Sequence, residues 1–160
     1  MSNPIHHPVQ VRPATSADAP AILRIEHESF VHAGERFGDG RILYLINSPR
    51  AIVSVGIVNG RVLAWAAGFA WTRGKVPWGR IYALAVDPAA RGRRLGPTLM
   101  QHMMESLRTR GAQRLFLEVR PDNHAAVRIY TRLGFMRCRT LVDYYGPGIA
   151  AERMEWQARP

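Results

Sequence analysis

Hydrophobic and polar residues follow one another along this chain in two rhythms. VQVRPA, at 9–14, reads as a short strand. TSADAPAILRIEHESF, at 15–30, shifts to a helical period with Ile22, Ile25 and Phe30 on one face. Thr15 or Ser16 can cap that helix, Asp18 suits the positive end of its dipole, and Pro20 is tolerated in the first turn. HAGERFGDG breaks the rhythm, and RILYLINSP predicts a second short helix ending at Pro49. AIVSVGIV and RVLAWAAGFAW flank Asn59-Gly60, a dipeptide suited to a tight hairpin whose two turn positions need positive φ.

WTRGKVPWG reads as a loop. RIYALAVD, at 80–87, is apolar nearly throughout, which predicts a strand near the middle of a sheet. TLMQHMMESLRTRG predicts a helix that begins near Pro97 and stops at Gly111. Leu99, Met103 and Leu107 share its apolar face, with Met100 and Met104 beside them; these methionines read as core filler. RLFLEV is a further strand, and DNHAAVRIYTRLG is a helix capped by Asp122 or Asn123 and stopped by Gly134. RCRTLVDYY and AERMEWQ close the chain as two strands around a Gly-Pro-Gly turn. The order β-α-α-β-β-β-α-β-α-β-β, without repeat or linker, predicts one mixed α/β domain over 9–158 behind a flexible tail at 1–8.

Composition narrows the function. At 160 residues and 47% hydrophobic, the chain can bury a real core. No segment approaches a membrane span, and the first residues lack the pattern of a signal peptide, which points to the cytoplasm and to no membrane partner. The single cysteine, Cys138, excludes an internal disulfide and reads as a small strand residue, since no His or Asn is spaced to serve it. The net charge of +10 is almost all arginine, with Lys75 the one lysine. Such a surface suits nucleic acid, a ribosome, an acidic peptide or a polyphosphate ligand. The absence of a helix-turn-helix, zinc-finger or RNA-binding signature argues against nucleic acid. The histidines are scattered, so no metal is implied.

The segment PAARGRRLGP joins the strand IYALAVD to the helix TLMQHMMESLRTRG. Backbone N–H groups at a helix start have no intrahelical partner and carry partial positive charge, so a diphosphate fits there. Gly92 and Gly96 let the backbone approach a ligand, and Arg91, Arg93 and Arg94 add charge. A solvated basic turn is the plainer alternative.

AVDPAARGRRLG and LEVRPDNHAAVRIYTRLGF together resemble the GNAT family of acetyl-CoA-dependent N-acetyltransferases. The first is similar to that family's acetyl-CoA loop, Q/R-x-x-G-x-G/A, and the second to its strand-helix motif ending in Tyr-x-x-x-Gly-Phe. Within the family the second motif resembles bacterial enzymes that acetylate the N-terminal alanine of a ribosomal protein, as does the tail DYYGPGIAAERMEW. The resemblance implies a mostly antiparallel central sheet flanked by helices, acetyl-CoA as co-substrate, and a primary amine as acceptor. That acceptor could be a protein or peptide N-terminus, and the protein a monomer or homodimer. VHAGERFGDGRILYL departs from the family pattern where the acceptor site is shaped, and Arg94 stands where the family has glycine. An ordinary helical conformation at Arg94 would cost little; loss of an easy left-handed conformation would cost more.

Carried residue by residue, the resemblance gives Leu84, Ala85 and Val86 to the pantetheine arm. It gives Arg91, Gly92, Arg93, Arg94, Leu95, Gly96 and Pro97 to the diphosphate, and Asn123 to both a helix cap and the cofactor. Glu118 becomes a candidate base and Tyr130 a candidate acid for the leaving thiolate. Strand alternation puts Leu115, Leu117 and Val119 on one face and Phe116, Glu118 and Arg120 on the other. A structural role for Glu118, paired with Arg120 or Arg128, is the alternative, and Tyr130 could equally be a core aromatic. Two other functions remain open: acetylation of a small amine such as an antibiotic or polyamine, and a non-catalytic acyl-CoA-binding or nucleic-acid-associated module.

Overall fold

The computed structural model describes residues 8–159, so the tail expected at 1–8 lies, apart from Pro8, outside the described residues. The strands are β1 (Gln10–Pro13), β2 (Ala51–Val58), β3 (Arg61–Trp71), β4 (Trp78–Val86), β5 (Arg114–Val119), β6 (Met136–Gly146) and β7 (Ile149–Gln157). The α-helices are α1 (Ala19–Ser29), α2 (Asp39–Asn47), α3 (Leu95–Thr109) and α4 (His124–Arg132). The strands form one sheet in the order β1-β2-β3-β4-β5-β7-β6. Its pairings are antiparallel except for β4 with β5, which run parallel because α3 crosses over between them. The element order and sheet are those the sequence predicts.

Helices cover both faces. Leu95, Leu99, Met103 and Leu107 of α3 pack with Leu115, Leu117 and Val119 of β5 and with Tyr130 of α4. On the opposite face Ile22, Ile25, Ile42 and Leu45 from α1 and α2 meet Val53, Val55 and Trp65. Every residue of β2 is therefore buried, and the expected alternation holds along β5.

Local chemistry sets the turns. Asn59 and Gly60 take φ of 53° and 72° and join β2 to β3 through the pair Val58↔Arg61. Asp18 accepts the Thr15 N–H at 2.8 Å and both terminal nitrogens of Arg12 at 2.7 and 2.9 Å. The Arg12 guanidinium holds the Asp18 carboxyl down at about 2, against the desolvation that opposes it. Helix α3 begins at Leu95 rather than near Pro97, because Arg94 already turns the chain; Pro97 then occupies a first-turn position that needs no N–H.

Two irregularities open the middle of the sheet. β3 pairs Ala67 with Ala83 and then Gly68 with Ile81, so Tyr82 is an extra residue that bulges β4. The parallel register of β4 with β5 runs from Trp78↔Arg114 to Ile81↔Leu117 and stops there. Beyond it the strands splay, leaving the backbone of Leu84, Ala85 and Val86 without a partner on that side.

Candidate active site

A cavity of about 530 Å³ occupies the splay. Leu84, Ala85 and Val86 form one wall, the loop and the start of α3 another, and Asn123 and Tyr130 of α4 the third. The loop is held from below. Asp87 accepts from the Ala89 N–H at 2.9 Å and from Arg24 of α1 at 2.7 Å. Gly92 takes φ of 80° with open space where a Cβ would stand, whereas a Cβ on Gly96 would meet Ile129 Cδ1 at 3.2 Å. The first glycine turns the chain; the second lets α3 approach α4. Leu95 and Gly96, the first residues of α3, line this cavity, and N–H groups in the first turn of a helix have no intrahelical acceptor. Arg91 and Arg94 reach the wall, but Arg93 is exposed and does not line it.

Arg94 caps α3 with φ 62° and ψ 13°. It thus takes the left-handed conformation itself, at a cost of about 1–2 kcal/mol for a residue with a Cβ. The size of the cavity, its unpaired strand edge, its helix-start N–H groups and its two arginines fit a long diphosphate-bearing thioester.

A smaller cavity of about 70 Å³ adjoins the first, and Tyr130, Asn123, Leu84 and Phe30 line both. Glu118 and Glu35 stand in its walls, and Phe37, Tyr82 and Tyr145 enclose it. Its roof is the segment after α1, pressed against β6: a Cβ on Gly34 would come within 2.1 Å of the Tyr145 carbonyl oxygen. Glu26 anchors that segment from beneath. Buried on α1, it accepts from the Phe37 N–H and from Trp65 Nε1, each at 2.9 Å. Desolvation pushes its carboxyl up to about 7, partly offset by those two bonds. Burial also raises the Tyr130 phenol above its ordinary value, so its hydroxyl stays protonated.

Glu118 is nearly buried, and its partners differ from those expected. Arg80 contacts Oε2 through Nε at 3.0 Å and Nη2 at 2.9 Å; Arg153 contacts Oε1 through Nε and Nη2, both at 2.8 Å. Arg80 also donates to the Tyr144 hydroxyl. The structure supplies Arg153 because it is the residue directly across from Glu118 on β7. Arg120 lies past the end of β5 and turns instead to Asp122 at 2.9 Å and Glu35 at 3.4 Å. Arg128, on α4, makes no ion pair among the described residues. Sequence reasoning missed Arg80, Arg153, Glu35 and Glu26. The first two are visible only through strand register, while the glutamates sit in helical or irregular segments that carry no motif.

The sequence profile described as the acetyltransferase (GNAT) family matches residues 19–135. A mycothiol acetyltransferase of Mycobacterium sp. (strain MCS) is 34% identical over 130 residues, 74% of this chain and 42% of that protein. The [ribosomal protein bS18]-alanine N-acetyltransferase of Salmonella typhimurium is 39% identical over 79 residues, 49% of this chain and 53% of its own. The chain thus spans about half the length of these curated relatives or less. The crystal structure of the ribosomal-protein-S18-alanine N-acetyltransferase from Escherichia coli superposes with a TM-score of 0.82 at 24% identity, covering 94% of each chain.

Proposed function

The chain belongs to the GNAT acetyltransferase family, and we propose that it moves an acetyl group from acetyl-CoA to the α-amine of a polypeptide N-terminus. The observation that carries this reading is that two cavities share Tyr130 as a wall: a large one with phosphate-seeking walls and a small one of about 70 Å³. Leu95, Gly96, Arg91 and Arg94 would hold the diphosphate, and the free edge of Leu84, Ala85 and Val86 the pantetheine arm. When bound, acetyl-CoA supplies an activated acyl carbon.

The chain's own residues then position two substrates and move protons. An α-amino group has a reference pKa of about 8 against about 10.4 for lysine, so it is the easier amine to present neutral. Glu118 takes the amine's proton, and Tyr130 gives one to the departing sulfur. A backbone N–H on the free edge of β4 polarises the carbonyl. The four arginine contacts leave Glu118 little room, and one must give way for it to act. Glu35, on the facing wall with a single contact at 3.4 Å, is the alternative base. Glu118→Gln and Glu35→Gln separate them: the base is the residue whose loss lowers kcat without changing cofactor affinity.

The mycothiol acetyltransferase match supports a second reading, a small-molecule amine. Acetyl transfer followed by mass spectrometry decides between them. Acetyl-CoA is offered with free N-terminal peptides beginning in a small residue, blocked peptides carrying lysine, and small amines. Labelling of free N-termini is expected. Labelling of only lysine or small amines would overturn the acceptor.

A further inference from the structure

We propose that a third cavity, on the far side of Glu118, binds an acidic side chain close to the N-terminus of the acceptor; this rests on the reading that the acceptor's α-amine enters beside Tyr130. The cavity measures about 320 Å³ and shares Glu118 as a wall with the small cavity. Val76, Trp78 and Phe116 give it an apolar side. Trp78 stacks on Trp71 at 4.3 Å and meets Phe116 edge-on at 6.0 Å, so this side is well supported.

Arg80, Arg114 and Arg153 stand around it. Each uses Nε and Nη2 on a glutamate: Arg80 and Arg153 on Glu118, Arg114 on Glu155. The Nη1 group of each has no hydrogen bond among the described residues. The carboxylates lie deeper than the guanidiniums. Glu118 and Glu155 side chains are 4% and 15% exposed, whereas Arg80, Arg153 and Arg114 are 22%, 32% and 40% exposed. Three guanidiniums against two carboxylates, with the positive groups outermost, make the cavity complementary to an anion.

A carboxylate on a short apolar stem fits best. Its planar oxygens match guanidinium donors, and its methylenes can lie on Trp78 and Phe116. An ammonium would be repelled. The Glu118 side chain separates this cavity from the small one that the amine is proposed to enter, and an extended chain advances about 3.4 Å per residue. The second to fourth residue of an acceptor therefore reaches it.

The test titrates the CoA-bound protein with alanine-initiated peptides that differ only in carrying Glu, Gln or Lys at residue two, three or four. Binding is read by calorimetry, and acetylation of the same peptides by mass spectrometry. A Glu peptide should bind about tenfold tighter than its Gln twin, as charge-assisted contacts in a partly buried site imply. Arg114→Gln should remove that difference, and Arg114→Lys should restore part of it. Equal binding of Glu and Gln peptides, a preference for Lys, or a preference that survives Arg114→Gln would overturn the proposal. Free glutarate competing as well as the Glu peptide would also overturn it, by showing a site for small acids. Peptides that bind with the expected pattern but are never acetylated would overturn the N-terminal acceptor and leave the acidic subsite standing. Acetylation without a Glu preference would do the reverse.

Discussion

The two cavities of the wedge between β4 and β5 share Tyr130 but are built from different materials. On the side proposed for the cofactor, one continuous run from β4 through the loop into α3 supplies backbone groups and glycines, and the cap of α4 completes it. On the acceptor side, the walls come from separate parts of the chain: Phe30 and Glu35, Tyr82, Glu118 and Tyr145. The first side offers N–H groups at a helix start and an unpaired strand edge, which any residue but proline can donate given the right φ. The second is lined by acidic side chains whose partners come from distant parts of the chain. A backbone N–H remains available with Arg94 in place of glycine, whereas paired charges depend on which side chain stands at each position.

Tyr130 belongs to both sides. Tyr130→Phe should lower kcat by about 10²–10⁴, the range of a lost proton donor, while leaving acetyl-CoA affinity within about twofold. Steady-state kinetics beside a cofactor titration check this. A fall in kcat of less than about tenfold would return Tyr130 to the core, where it already packs 6.1 Å from Phe135.

Glu26 tests the acceptor side alone. Its carboxyl titrates at about 7 in the fold against an ordinary 4.5, because burial disfavours the charge more than Phe37 and Trp65 favour it. The folded state therefore holds its proton more tightly than the unfolded state. That stability is fully present below the ordinary carboxylate range and is lost as pH rises from about 4.5 to about 7. At about 1.4 kcal/mol per unit, the change is on the order of 3 kcal/mol. Denaturant unfolding between pH 4.5 and 8 should show the decline in the wild-type chain. Glu26→Gln should flatten the decline, whatever it does to absolute stability. A slope identical in both proteins would show that the roof's anchor is not what senses pH. Asp18, at the N-cap of the same helix, is the contrast: its guanidinium partner moves its carboxyl the other way.

The same division explains what could be read from sequence. Period, caps and the Asn-Gly turn carried the element order, because each depends on residues close in the chain. The strand alternation that put Glu118 opposite Leu117 was equally local. Its partners were not. Arg153 faces Glu118 through the β5–β7 register, and Arg80 reaches it diagonally from β4, where it pairs with Phe116. Arg120, the near neighbour in sequence, is drawn off by Asp122 and Glu35. The roof was least legible: Gly34 is needed because Tyr145 lies against it, a contact across more than a hundred residues.

The cofactor side is sharpened by Arg94→Gly, the smallest effect of the three. In the left-handed region a residue with a Cβ is strained by about 1–2 kcal/mol, and glycine is not. Glycine also frees the unfolded chain, which returns about 0.4–1 kcal/mol to that state. The net expectation is a gain of about 0.5–1 kcal/mol in stability, a rise of a few degrees in Tm. Affinity should move the opposite way. Arg94 lines the cavity beside the helix-start N–H groups, so its loss should weaken acetyl-CoA about three- to tenfold, with the larger loss at low salt. Thermal melts and cofactor titrations at two ionic strengths measure both. If stability rises and affinity falls, the guanidinium grips the ligand at the expense of backbone strain. If both rise, the N–H groups alone hold the diphosphate and the arginine only obstructs them.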